Sequence, residues 1–71
     1  MKRHTVDSSE IISVGYDQDT KILEIEFHGN RIYQYKNVPE DIYGRLMNSG
    51  EMTDRFFAER IQWVYDYSLV E

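Results

Sequence analysis

The stretch Lys21-Ile22-Leu23-Glu24-Ile25-Glu26-Phe27-His28-Gly29-Asn30-Arg31-Ile32-Tyr33-Gln34-Tyr35-Lys36 decides the fold. Leu23, Ile25 and Phe27 alternate with Ile22, Glu24, Glu26 and His28. That period of two belongs to a strand with one buried and one solvated face. Gly29-Asn30 suits a tight hairpin turn, because both residue types accept left-handed backbone. Beyond the turn, Tyr33 and Tyr35 share a face, flanked by Arg31, while Ile32, Gln34 and Lys36 take the other.

Working outward toward the N-terminus, Ile12, Val14 and Tyr16 share one face of a further strand, and Ile11, Ser13 and Gly15 the other. Asp17-Gln18-Asp19-Thr20 is the turn between the two, since an Asp side chain accepts hydrogen bonds from nearby backbone amides. Ser8-Ser9 reads as a strand-start or capping pair, and residues 1–7 as a loose arm without periodicity. Toward the C-terminus, Pro39 suits the first position of a helix, with Glu40 and Asp41 at its positive end. Ile42, Tyr43, Leu46 and Met47 form one helical stripe and Gly50 its terminator. Thr53 is expected to cap a second helix carrying Phe56, Phe57 and Ile61, with Val64 a candidate to extend the stripe, and the two phenylalanines do not both point fully inward. In the tail Trp63, Tyr65, Tyr67 and Leu69 alternate, as in a fourth strand. The expected architecture is a single α+β domain over residues 1–71, an antiparallel meander of three to four strands packed by one or two short helices.

At 71 residues the chain has room for one thin core, burying about 60% of its unfolded surface. It has no cysteine, which removes disulfides and thiolate metal sites, and it compensates with six Tyr, three Phe and one Trp. The basic start is followed by no apolar segment of the signal-peptide kind and no run of membrane-spanning length, so a cytoplasmic protein is expected. The net charge is −5. Residues 1–36 hold five Lys/Arg against six Asp/Glu, and residues 37–71 three against seven. Affinity for polyanions comes mainly from basic residues, so any nucleic-acid face belongs to the first half.

Catalysis has little to work with. The histidines are His4 in the arm and His28 at the hairpin, and neither belongs to a nucleophile–base motif. Asp17-Gln18-Asp19 starts like a calcium loop, but the positions that need Gly and Glu hold Ile22 and His28. No enzyme activity, metal or cofactor is expected.

Two readings stand for the tyrosine pair. Tyr33 and Tyr35, with Arg31 and Lys36, form a stacking platform for unpaired bases, the cations gripping phosphate. Alternatively both rings are core, packed on the helix face of Ile42 and Leu46. Trp63, Tyr65 and Tyr67 likewise either complete the sheet or form a partner-binding patch.

The order Gly15-Tyr16-Asp17, Tyr33-Gln34-Tyr35 and Val38-Pro39 closely resembles the KTSC domain, over roughly Val6 to Tyr67. This small module is named for the C-terminus of some lysyl-tRNA synthetases and also occurs as a stand-alone bacterial protein. The resemblance implies a non-catalytic module contacting RNA through Arg31, Tyr33, Tyr35 and Lys36, an inference by association with the synthetase. The chain departs from the family pattern in two places: the segment from Ile61 to Glu71 carries two acids and no Lys or Arg, and Asp54-Arg55 stands where the family has a glycine before its aromatic pair. The alternative is a protein-interaction module or homodimer using Trp63, Tyr65 and Tyr67 on an acidic surface. A third reading is an acidic mimic of nucleic acid.

Overall fold

β-Branched and aromatic residues at period two put most of the first half of the chain into a sheet. A computed structural model describes residues 2–70. The strands are β1 (Arg3–Thr5), β2 (Ile11–Asp17), β3 (Ile22–Phe27), β4 (Arg31–Tyr35) and β5 (Tyr67–Leu69). They form one antiparallel sheet in the order β1-β2-β3-β4-β5. Helices α1 (Glu40–Met47) and α2 (Thr53–Arg60) follow β4, joined through a 3₁₀ turn at Gly50–Met52. The α+β class and the meander agree with the sequence expectation, with one strand more. That strand is β1, which replaces the expected loose arm over residues 3–5: Arg3 pairs with Gly15 and Thr5 with Ser13. Met1 of that arm lies outside the described residues.

Register corrects the reading of β2. Ile11 pairs with Phe27 but Ser13 pairs with Glu26, so Ile12 is the extra residue of a bulge. The bulge flips the strand's parity, and Ile11 joins Val14 in the core while Ile12 is only half-buried. An inserted residue leaves no trace in a strict period-two count.

The turns behave as their residue types dictate. Asp17 Oδ1 accepts from the backbone N of Asp19 at 2.9 Å, and Lys21 closes the turn at φ +58°. Between β3 and β4, Gly29 and Asn30 both take positive φ, +95° and +61°. Asn37, at φ +59°, turns the chain from β4 toward Val38, which is fully buried and donates its N–H to the Lys21 carbonyl at 3.0 Å. The Tyr16 hydroxyl donates to the Val38 carbonyl, so the residue before Pro39 is held from both sides.

Both helices cover one face of the sheet. Val14, Leu23, Ile25 and Tyr35 point up from the strands to meet Leu46, Phe57 and Ile61, all buried. Ile42, Tyr43 and Met47 flank Leu46 as the stripe predicts. Pro39 is the N-cap of α1 and the helix begins at Glu40, one residue later than expected. Asn48, rather than Gly50, closes α1. Gly50, at φ +58°, starts the 3₁₀ turn that runs directly into α2. Because that turn already precedes the helix, Met52 is its N-cap and Thr53 does not cap it; the Thr53 hydroxyl donates back to the Gly50 carbonyl at 2.7 Å. Phe57 is buried, while Phe56 is half-buried under the Arg45 guanidinium, 5.6 Å from the ring centroid.

The opposite face of the sheet sets Ile22 and Ile32 beside a bonded set of polar side chains. Ser13 donates to Glu26 at 2.8 Å, Gln34 to Glu24 at 2.9 Å, and Arg3 pairs with Glu24 at 3.5 Å. A further link ties the sheet to α2 across the chain: the hydroxyls of Ser8 and Ser9 both donate to the Asp54 carboxylate, Ser9 at 2.6 Å.

Candidate functional site: an aromatic groove beside helix α2

The sheet is wider than the helices that cover it. On the helix side, a groove of about 500 Å³ lies between α2, which lines it with Phe57 and Ala58, and the hairpin end of β3 and β4 with Tyr67 of β5. Its floor is aromatic because of register. Phe27 and Arg31 are opposite each other at the hairpin, Tyr33 opposes Ile25 and Leu69, and Tyr35 opposes Leu23 and Tyr67. Odd-numbered residues of β3, β4 and β5 therefore all point toward α2. The rings interlock: Phe27 meets Tyr33 edge-on at 5.7 Å, and Tyr33 meets Tyr67 at 5.7 Å. Such pairs contribute about 0.5–1.5 kcal/mol each beyond area burial.

Trp63 forms one wall. After α2, the Gln62 N–H bonds to the Phe57 carbonyl at 2.9 Å and the Tyr65 N–H to the Ile61 carbonyl at 3.3 Å, winding the chain into turns instead of a strand. Ile61 anchors this turn in the core, and Trp63 is left 76% exposed at the groove's edge. The expected strand from Trp63 to Leu69 is thus shortened to Tyr67–Leu69, and the stripe splits. Tyr65 is half-buried against the core and lies outside the groove.

The residues expected to contact nucleic acid separate as well. Arg31 and Tyr33 line the groove, Arg31 exposed and Tyr33 half-buried. Tyr35 is only 3% exposed, edge-on to Phe57 at 5.5 Å, and reaches the groove just at its margin. Burial pushes its hydroxyl up to about 12, with Tyr33 and Tyr67 adding to the effect. Its ring has no free face for a base, which corrects the expectation of a Tyr33–Tyr35 stacking pair: one tyrosine is core and the other borders a site. Lys36 lies beyond the end of β4 on a separate shallow surface with Asp66, and does not join Arg31. The sequence reading missed Phe27, His28 and Gln62 as lining residues. Phe27 and Tyr33 were connectable by counting across the hairpin; Gln62 has no local signal.

Chemically the groove offers stacking surfaces, one guanidinium, the His28 imidazole and the Gln62 amide, with Glu10 at its rim. Among the described residues, no three His, Asp or Glu side chains come together in a way that would hold a metal ion, and no helix is long and apolar enough to cross a membrane.

The chain is similar to known proteins over nearly its whole length. A protein of Stutzerimonas stutzeri (strain A1501) is 36% identical over 56 residues, covering 79% of each chain. One from Tsukamurella paurometabola is 39% identical over 51 residues, 72% of this chain and 75% of its own. The crystal structure of a KTSC domain protein from Yersinia pestis superimposes with a TM-score of 0.93 at 36% identity, over 99% of this chain and 97% of that one. The KTSC domain family model matches residues 7–70, and the chain belongs to the KTSC domain family.

Proposed function

We propose that the protein is a non-catalytic, cytoplasmic RNA-binding module that holds an unpaired base in the aromatic groove. The observation that carries this reading is that Tyr33, Tyr67, Trp63 and Arg31 border one groove. Single-stranded nucleic acid is gripped by aromatic faces on which bases stack and by cations for the phosphates. Trp63 and Tyr67 supply exposed rings, and Arg31 supplies a planar cation suited to phosphate. The net charge of −5 limits this to a short contact of a few nucleotides. Lys36 and Tyr35 have no part in it.

The chain's one tryptophan lies at the groove, so its fluorescence reports on occupancy. Titration with an unstructured oligoribonucleotide at low salt is expected to quench Trp63. NMR amide shifts should centre on Arg31, Tyr33 and Tyr67, and both signals should fade as salt rises. Absence of quenching and of shifts at low salt overturns the reading.

A further inference from the structure

Strand β5 is one edge of the sheet, and its hydrogen bonding shows which backbone groups are committed. The Lys36 N–H bonds to the Asp66 carbonyl at 2.8 Å, and the Val70 N–H to the Ile32 carbonyl at 2.7 Å. Backbone groups alternate along a strand, so Asp66, Ser68 and Val70 aim theirs at β4. Tyr67 and Leu69 therefore aim theirs outward. Sheet edges are usually blunted by charge, proline or a covering segment. The opposite edge, β1, is Arg3-His4-Thr5 and follows this rule. β5, Tyr67-Ser68-Leu69, carries no charge and no proline. Tyr67 and Leu69 of the strand and Val70 after it are large apolar side chains left exposed, and the exposed Trp63 borders the same groove as Tyr67.

We propose that β5 pairs with β5 of a second copy of this chain, antiparallel about a two-fold axis at Ser68. The strand is self-complementary in this register. Tyr67 faces the partner's Leu69 and Leu69 the partner's Tyr67, so the outward donors and acceptors on both copies find one another. Ser68 meets the partner's Ser68 as the close, non-hydrogen-bonded pair, where small side chains fit. Asp66 falls opposite the partner's Val70, so the segment's one described acid meets no like charge. Tyr67 and Leu69 both point to the helix side, which sets the two aromatic grooves side by side across the axis. A three-residue edge belongs to the small, reversible class of interface. The proposal does not depend on RNA binding.

Sedimentation of the full chain tests it. The weight-average mass is expected to rise from 8.5 kDa toward twice that value as concentration approaches about 1 mM. Added salt should strengthen the association, because it screens the repulsion between two copies of charge −5. RNA binding should show the opposite salt dependence, so the two readings fail separately. Leu69→Pro removes an outward N–H without touching the bonds to β4, and is expected to leave a folded monomer. Should that variant not fold, Leu69→Lys decides, since it keeps the backbone and places a charge at the edge. Amide exchange at Tyr67 and Leu69 should slow with concentration, while Ser68 stays protected throughout. A strict monomer at about 1 mM overturns the proposal, as does a dimer that persists in a folded edge variant or leaves the Tyr67 and Leu69 amides unprotected.

Discussion

Tyr35 and Tyr67 stand directly opposite each other on neighbouring strands with ring centroids 5.5 Å apart, yet Tyr35 is 3% exposed and Tyr67 47%. The difference comes from α2. Phe57 lies edge-on over Tyr35, and nothing among the described residues covers Tyr67 in the same way. One ring serves the core and its neighbour serves the surface. Tyr35→Ala should cost about 3–5 kcal/mol, the usual loss for a large buried ring. Tyr67→Ala should cost about 1 kcal/mol or less. Urea denaturation of both variants measures the contrast, and equal losses would mean that the edge strand is as deeply packed as β4.

The bulge in β2 makes an unequal pair of two adjacent isoleucines. Ile11 is 1% exposed and belongs to the core, whereas Ile12, the unpaired residue of the bulge, is only half-buried. Ile11→Ala is expected to destabilise by about 2–5 kcal/mol and Ile12→Ala by about 1 kcal/mol. Strict alternation from Val14 predicts the reverse order, so thermal unfolding of the two variants checks the register directly.

Asp54 is held by Ser8 and Ser9, and these hydrogen bonds, Ser8's first, bring its carboxyl below the ordinary aspartate value. The folded state therefore binds the proton less readily than the unfolded one. The contribution is present above the ordinary aspartate range and is lost as pH falls through the lower folded value. Asp54→Asn should cost about 1 kcal/mol at neutral pH. The gap between variant and parent in melting temperature should close on acidification, and a gap independent of pH would sink the assignment.

Tyr35 gives the mirror case on the alkaline side. Its hydroxyl is raised from 10.0 to about 12 by burial, so the unfolded chain loses this proton first as pH rises. Stability is full below pH 10.0 and falls between there and about 12, by on the order of 2 kcal/mol. Tyr35→Phe removes the proton while keeping the ring. Its unfolding free energy, followed across the same range, should decline less steeply than the parent's.

Much of the fold was legible because its signals are local. The β3–β4 hairpin is written in the alternation of Leu23, Ile25 and Phe27 and in Gly29-Asn30. The α1 stripe of Ile42, Tyr43, Leu46 and Met47 is likewise local, since each residue is a helical neighbour of the next. β1 was not legible: Arg3-His4-Thr5 has no apolar face, and its place is set by pairing with β2. Nor was the end of the strand expected from Trp63 onward, because Ile61 pins that segment into turns through a core contact distant in sequence.

The candidate site divides along the same line. That Tyr33 and Tyr35 share a face, that Arg31 flanks them and that the tail is aromatic without basic residues all follow from residue identity and period, while the family was legible as a resemblance in the order of short motifs. Which tyrosine is available, and that Arg31 and Tyr33 meet Trp63 and Tyr67 while Lys36 and Tyr65 fall away, depended on where α2 lies over the sheet. Side-chain direction is a local property of the backbone. Burial is decided by a second element brought up from elsewhere in the chain: Phe57 of α2 covers Tyr35, while Tyr67 beside it stays 47% exposed at the groove.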